Sequence, residues 1–182
     1  MPLILKKLSI KQWIVLLGVL VFSFGLGLFA YLGVFNRFYA DDWCYNADFL
    51  ELGLLGTLRG YSYITTYASN RFSLTLFSGL FERLGILGVQ FITPFFIFLF
   101  LFSTYKLLNN LRKLWAKQTA NSIIVLSSGI IGYFTIYLAP HIYQSFYWRS
   151  GLLPYTAPLA LTVLIFSLLQ SQARQIVHRG PD

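Results

Sequence analysis

Formal charge is scarce in this chain. Only 11% of its 182 residues are Asp, Glu, Lys or Arg, where a soluble domain carries about 25%, so an ordinary water-soluble domain is excluded. Cysteine is almost missing. Cys44 stands alone, which rules out an internal disulfide and a cysteine-built metal cluster, and it reads as a small apolar residue. The chain also lacks a Gly-x-x-x-x-Gly-Lys phosphate loop, a His-Glu-x-x-His pair, a Gly-x-Ser-x-Gly elbow and a Cys-x-x-Cys pair. The catalytic and redox machineries built on those motifs are therefore not expected. No ionisable side chain falls deep inside an apolar run, as an ion channel or proton pump would require. The net charge of +8 is not a nucleic-acid footprint, because every lysine (Lys6, Lys7, Lys11, Lys106, Lys113, Lys117) borders an apolar run and none builds a basic stripe.

What the chain has is apolar length. It is 57% hydrophobic with a mean hydropathy of +0.65. A bilayer-spanning helix needs about 20 mostly apolar residues, and four stretches supply them, near 13–35, 85–106, 120–139 and 152–170, with Lys106 at the end of the second as their one charge. The expected fold is a single all-α integral membrane domain over 1–182. It has about four transmembrane helices, and two interfacial helices in a first outer loop at 36–84. The first stretch exceeds the 7–15-residue apolar core typical of a signal peptide and reads as an uncleaved anchor. Lysine and arginine set the orientation. Nine of them (Lys6, Lys7, Lys11, Lys106, Arg112, Lys113, Lys117, Arg174 and Arg179) fall on one side of a four-span arrangement, while the first loop holds five of the six acids. Both termini are expected in the cytoplasm, with the chain multi-pass in the plasma (inner) membrane.

The first outer loop is itself patterned. From Trp43 to Leu58, the residues Phe49, Leu50, Leu54, Leu55 and Leu58 recur at helical spacing, with a break expected at Gly60. Tyr61 to Leu84 repeats the pattern through Phe72, Leu76, Leu80 and Leu84. Both helices are amphipathic and are expected to lie along the interface. Extending the second span back to Phe72 would place Glu82 and Arg83 in lipid, at about 2.5–3.5 kcal/mol each. Aromatic residues near the predicted span ends, among them Trp13, Trp43, Trp115 and Trp148, fit an interfacial belt. Ser23 with Gly27 and Ser128 with Gly132 have the spacing of close helix contacts.

Chemistry concentrates where the first span ends, in Phe38-Tyr39-Ala40-Asp41-Asp42-Trp43. Adjacent carboxylates repel, which raises one pKa and favours a general base, or they bind a divalent cation. Capping of the helix that starts near Trp43 accounts for them equally simply. Asp48 and Glu51 read as a solvated helix face. In the second outer loop, Arg149 beside Tyr147 and Trp148 has the make-up of a phosphate and ring-stacking site, or of an interfacial anchor with a snorkelling arginine. His141, in the same loop, is a substrate-binding candidate or an ordinary interfacial histidine, without a metal partner nearby in sequence, and Arg71 is a second phosphate candidate.

An N-terminal anchor, then aromatic-x-Asp-Asp at the head of the first outer loop, then two interfacial helices, resembles the GT-C class of integral membrane glycosyltransferases. Phe38-Tyr39-Ala40-Asp41-Asp42-Trp43-Cys44-Tyr45 carries the resemblance, and Phe146-Tyr147-Trp148-Arg149-Ser150-Gly151-Leu152-Leu153-Pro154-Tyr155 is similar to the aromatic outer loop of bacterial members. The resemblance implies transfer of a sugar from a polyprenyl-phosphate carrier at the outer leaflet. Asp41 or Asp42 would act as base or acceptor holder, and Arg149, with Arg71 in reserve, would hold the carrier phosphate. It also implies more spans than four, so the chain corresponds to an N-terminal portion. The competing expectation is a non-catalytic subunit whose loop helices dock a partner membrane chain.

Overall fold

A computed structural model of the chain describes residues 9–63, 79–115 and 118–179, with side chains over 9–56, 79–115 and 118–175. Helix α1 (Ile10–Gly33) starts at a capping box, in which Ser9 Oγ accepts the Gln12 N–H and Gln12 Oε1 accepts the Ser9 N–H. Helix α2 spans Asp41–Tyr63. A helical turn at 79–82 leads into α3 (Ile86–Leu114), and α4 (Asn121–Tyr137) follows. A π-helical turn at Tyr143–Tyr147 then precedes α5 (Arg149–Arg179). Among the described residues there is no strand.

Among the described residues, three helices are long and apolar enough to cross a membrane: α1 with 24 residues, α3 with 29, and α5 over Arg149–Gln175. At about 1.5 Å per residue even α1 reaches the roughly 30 Å hydrocarbon thickness. Leu17, Leu20, Phe24, Phe98 and Phe166 lie exposed along them, an arrangement costly in water and suited to lipid. The expected third span is shorter, with 17 residues in α4. The fourth starts earlier than expected, at Arg149.

Helix α3 is central. Its Ile92, Phe96 and Phe100, one turn apart, pack with Leu152, Leu153, Ala157 and Ala160 of α5. Its Ile97 joins Leu26 of α1, Ile136 of α4 and Phe146 in a second cluster. Ser128 and Gly132 do sit on a buried face of α4, where a Cβ on Gly132 would meet Leu101. Ser23 and Gly27 do not, since both are exposed. The glycines of α1 that approach α4 are Gly18, beside Leu126, and Gly25, beside Tyr133.

The outer-loop pattern is only partly met. The expected break at Gly60 does not occur, since helix continues to Tyr63. The interruption falls at Gly53, with φ 64° and ψ 175°, a conformation open to glycine. Phe49 and Leu54 turn toward Gly79, whereas Leu50 and Leu55 are exposed. Most of the expected second interfacial helix, including Phe72 and Leu76, lies outside the described residues, as does Arg71.

Candidate functional site

The end of α1, the start of α2, the 79–85 turn, the start of α3 and the start of α5 meet at one end of the bundle. Polar bonds across long sequence distances fix that meeting. Asn36 Nδ2 donates to Thr93 Oγ1 at 2.9 Å, and Thr93 Oγ1 donates onward to the Phe146 carbonyl. Tyr147 Oη donates to the Phe29 carbonyl at 3.1 Å, and Trp148 Nε1 to the Tyr39 carbonyl at 3.1 Å. Two glycines permit close backbone approaches. A Cβ at Gly88 would lie 2.0 Å from the Phe81 carbonyl oxygen, and one at Gly151 would lie 2.1 Å from that of Gln144. The first contact seats Glu82 over the bundle, and the second seats the π-helical turn on α5.

At the centre lies Arg149, the largest fully buried side chain, with 1% of its surface exposed. Its Nε donates to Asp42 Oδ1 at 3.3 Å and its Nη2 to the Asp42 carbonyl at 2.9 Å, while Nη1 donates to Glu82 Oε2. The Phe38 ring covers the guanidinium at 5.3 Å, a cation–π contact. Asp42 is also fully buried. Beyond Arg149, its Oδ1 accepts the Ser150 N–H at 3.1 Å and the Ser150 hydroxyl, and its Oδ2 accepts the Tyr39 N–H at 3.2 Å.

Asp42 therefore does cap a helix, but a different one from that expected. It lies inside the first turn of α2, while its carboxylate accepts an N–H from the first turn of α5, a residue 108 positions away. That places a negative charge at the positive end of the α5 dipole. Arg149 occupies the same unfavourable end for a cation, and Asp42 with Glu82 compensates it. Glu82 is the site member that sequence reasoning missed. The available signal was a lone acid in the apolar run Leu80-Phe81-Glu82. Its Oε1 is buried and has no hydrogen-bond partner among the described residues. Burial pushes its pKa above the ordinary 4.5, with Asp42 adding to the rise, although Arg149 pulls the other way.

The remaining candidates separate in space. Asp41 is exposed, directly after Ala40, whose φ of 46° is unusual for a residue other than glycine. Tyr147 is held in the bundle, its hydroxyl pushed up to about 12 by burial. Trp148 is half-buried against Tyr39, ring centroids 6.1 Å apart and perpendicular. Tyr143 meets Tyr39 in the same edge-to-face manner at 5.7 Å, and its hydroxyl is raised by burial, then by Tyr39 and Asp42. His141, Cys44 and Glu51 are exposed on the surface, as is Asp48. The residues present do not fit a divalent cation between Asp41 and Asp42. The Asp42 carboxylate already accepts four hydrogen bonds, and no group of three His, Cys, Asp or Glu among the described residues could hold a metal.

Among the described residues, these elements define an all-helical protein with three helices of membrane-spanning length and a buried Asp–Arg–Glu knot at one end. The chain matches no protein-family model, no curated protein and no solved structure.

Proposed function

We propose that the chain is a four-span membrane glycosyltransferase domain that uses a polyprenyl-phosphate-linked sugar, with Asp41, at the outer face, as the reacting carboxylate. The span added to the three long helices is α4, third of the four in chain order. It runs beside α1 through the Gly18–Leu126 and Gly25–Tyr133 approaches and beside α3 through Gly132–Leu101, so it shares their depth. Its 17 residues fall at the short end of the spanning range of roughly 17–25. Orientation follows from cation placement: Lys11, Lys106, Arg112 and Lys113 lie at the bundle end opposite the knot, and that end takes the cytoplasmic side.

One observation carries the catalytic assignment, namely the division of labour within the acidic pair. Asp42 is consumed by Arg149, Ser150 and Tyr39 and cannot meet a substrate. Asp41 is exposed, on the first turn of a helix pinned by that same neighbour. The strained Ala40 is fixed between the Trp148–Tyr39 and Tyr39–Asp42 bonds. A carboxylate so held suits general-base work. The acceptor hydroxyl oxygen bonds to the anomeric carbon, the bond from that carbon to the carrier phosphate breaks, Asp41 takes the hydroxyl proton, and polyprenyl phosphate leaves. Arg149 is committed internally, so the carrier phosphate falls to exposed cations at the same end, Arg37 and Arg83. The exposed rings of Tyr39, Trp43 and Tyr143 form the apolar rim around Asp41.

The test is transfer from a radiolabelled polyprenyl-phosphate sugar in membranes carrying the protein. Asp41→Asn is expected to reduce transfer by about 10²-fold or more, the usual worth of a general base, at unchanged protein level. Transfer by Asp41→Asn at the parent rate, or none by the parent protein, refutes the reading.

A further inference from the structure

Among the described residues, the knot contains one carboxylate more than its single guanidinium can neutralise. Asp42, with every oxygen bonded, is the satisfied partner. Glu82 is not: one oxygen meets Arg149, and the other is sealed from water without a donor among the described residues. A buried carboxylate oxygen with no partner is costly when charged, and protonation is the least costly relief.

We propose that Glu82 is a proton-exchange site, and that the Asp42–Arg149–Glu82 knot is a clasp whose hold on the 79–85 turn depends on whether Glu82 is a neutral acid or a carboxylate. The proton comes from and returns to solvent, and no other bond is made or broken. With Glu82 neutral, Asp42 and Arg149 form a balanced pair and the turn stays seated on α3 through the Gly88 approach. With Glu82 ionised, two buried carboxylates compete for Arg149, and the turn has reason to lift toward water.

Among the described residues, the groups facing Glu82 are few. From α5 comes Arg149, and from α2 comes Asp42, while the Phe38 ring closes the guanidinium from the segment before α2. Arg83, next in the chain, and Asp41 are exposed, and the Tyr143 phenol feels Asp42. The sign of the pH effect follows. Burial raises the folded-state pKa of Glu82 above 4.5, so this contribution to stability is full below 4.5 and is lost as pH rises through the folded value.

Composition makes the test clean, because the chain holds only two glutamates, Glu51 and Glu82. Protein carrying 13C in its glutamate side-chain carboxyls, with Glu51→Gln to remove the other signal, is titrated in detergent micelles by carbon NMR. The Glu82 signal is expected to keep its protonated shift above pH 4.5, and Asp42→Asn to move the titration downward by about one pH unit, a tenfold loss of proton affinity. In parallel, thermal unfolding of the parent protein is expected to weaken as pH rises through that titration, and Glu82→Gln to remove the step. The proposal is overturned if Glu82 ionises at or below 4.5, or if the parent and Glu82→Gln unfolding curves run parallel across the range. The parent titration needs no change at the knot, so it decides the matter even if the knot variants fail to fold. None of these readouts involves sugar transfer, so the clasp and the catalytic reading stand or fall separately.

Discussion

Removing the guanidinium while keeping the bulk, as Arg149→Met, isolates what the knot does for the fold. Arg149 is 1% exposed and donates to Asp42 Oδ1, the Asp42 carbonyl and Glu82. Methionine fills most of that volume, so little of the loss is cavity. What remains is two buried carboxylates without a cation, and an Asp42 carbonyl that has lost one donor. Breaking a buried ion pair from one side costs about 3–5 kcal/mol. Part of this is recovered when Glu82 takes a proton, so the net expectation is about 3–4 kcal/mol. Reversible unfolding in mixed micelles, read by tryptophan fluorescence, measures it. The same assay on Arg149→Met with Glu82→Gln separates charge from packing. Neutralising the surplus acid should return about 1–2 kcal/mol of the loss. A loss below about 1 kcal/mol for Arg149→Met, within the range of an exposed pair, would refute the reasoning, as would a double variant no better than the single one.

Four further outcomes follow from the same geometry. Gly88→Ala, whose Cβ would lie 2.0 Å from the Phe81 carbonyl, should unseat the 79–82 turn at a cost of about 1–3 kcal/mol. Gly27→Ala, with nothing within 4 Å, should be neutral or stabilising by up to about 1 kcal/mol, and equal behaviour of the pair by thermal unfolding would contradict this packing. Ala40→Gly should keep or raise stability, since a left-handed alanine costs about 1–3 kcal/mol, and a clear loss would show that φ 46° is not the native conformation. Thr93→Val removes both the acceptor for Asn36 and the donor to the Phe146 carbonyl. It should cost about 1–3 kcal/mol, and an unchanged melting temperature would count against the relay that fixes the site end of the bundle.

The long apolar helices were legible in the sequence because bilayer length leaves a mark in composition alone. Their ends were less so. Arg149 reads as a loop residue beside an apolar run, yet it opens α5 because Asp42, 107 residues earlier, neutralises it. Local pattern cannot report a partner at that distance. For the same reason capping was foreseen for the acidic pair but assigned to the wrong helix. Gly60 looked like a breaker, but the kink falls at Gly53, since a glycine tolerates helix unless packing asks for its other conformations. The pairing of Ser128 and Gly132 on one face followed from spacing. Ser23 and Gly27 share that spacing and face outward, so spacing alone does not choose the partner helix. Among the candidate site residues, Asp41, Asp42 and Arg149 were visible as charges in apolar surroundings. Glu82 carried the same mark, and it was weighed only as a cost to membrane insertion.

Cys44 provides the most direct test of the account. It is the only thiol in the chain, it is exposed, and it lies on the first turns of α2, beside Asp41. A charged, membrane-impermeant maleimide added to intact cells should label the parent protein and leave Cys44→Ser unlabelled. Labelling that appears only after the membrane is opened would put this end of the bundle, and the carboxylate assigned to sugar transfer, on the cytoplasmic side.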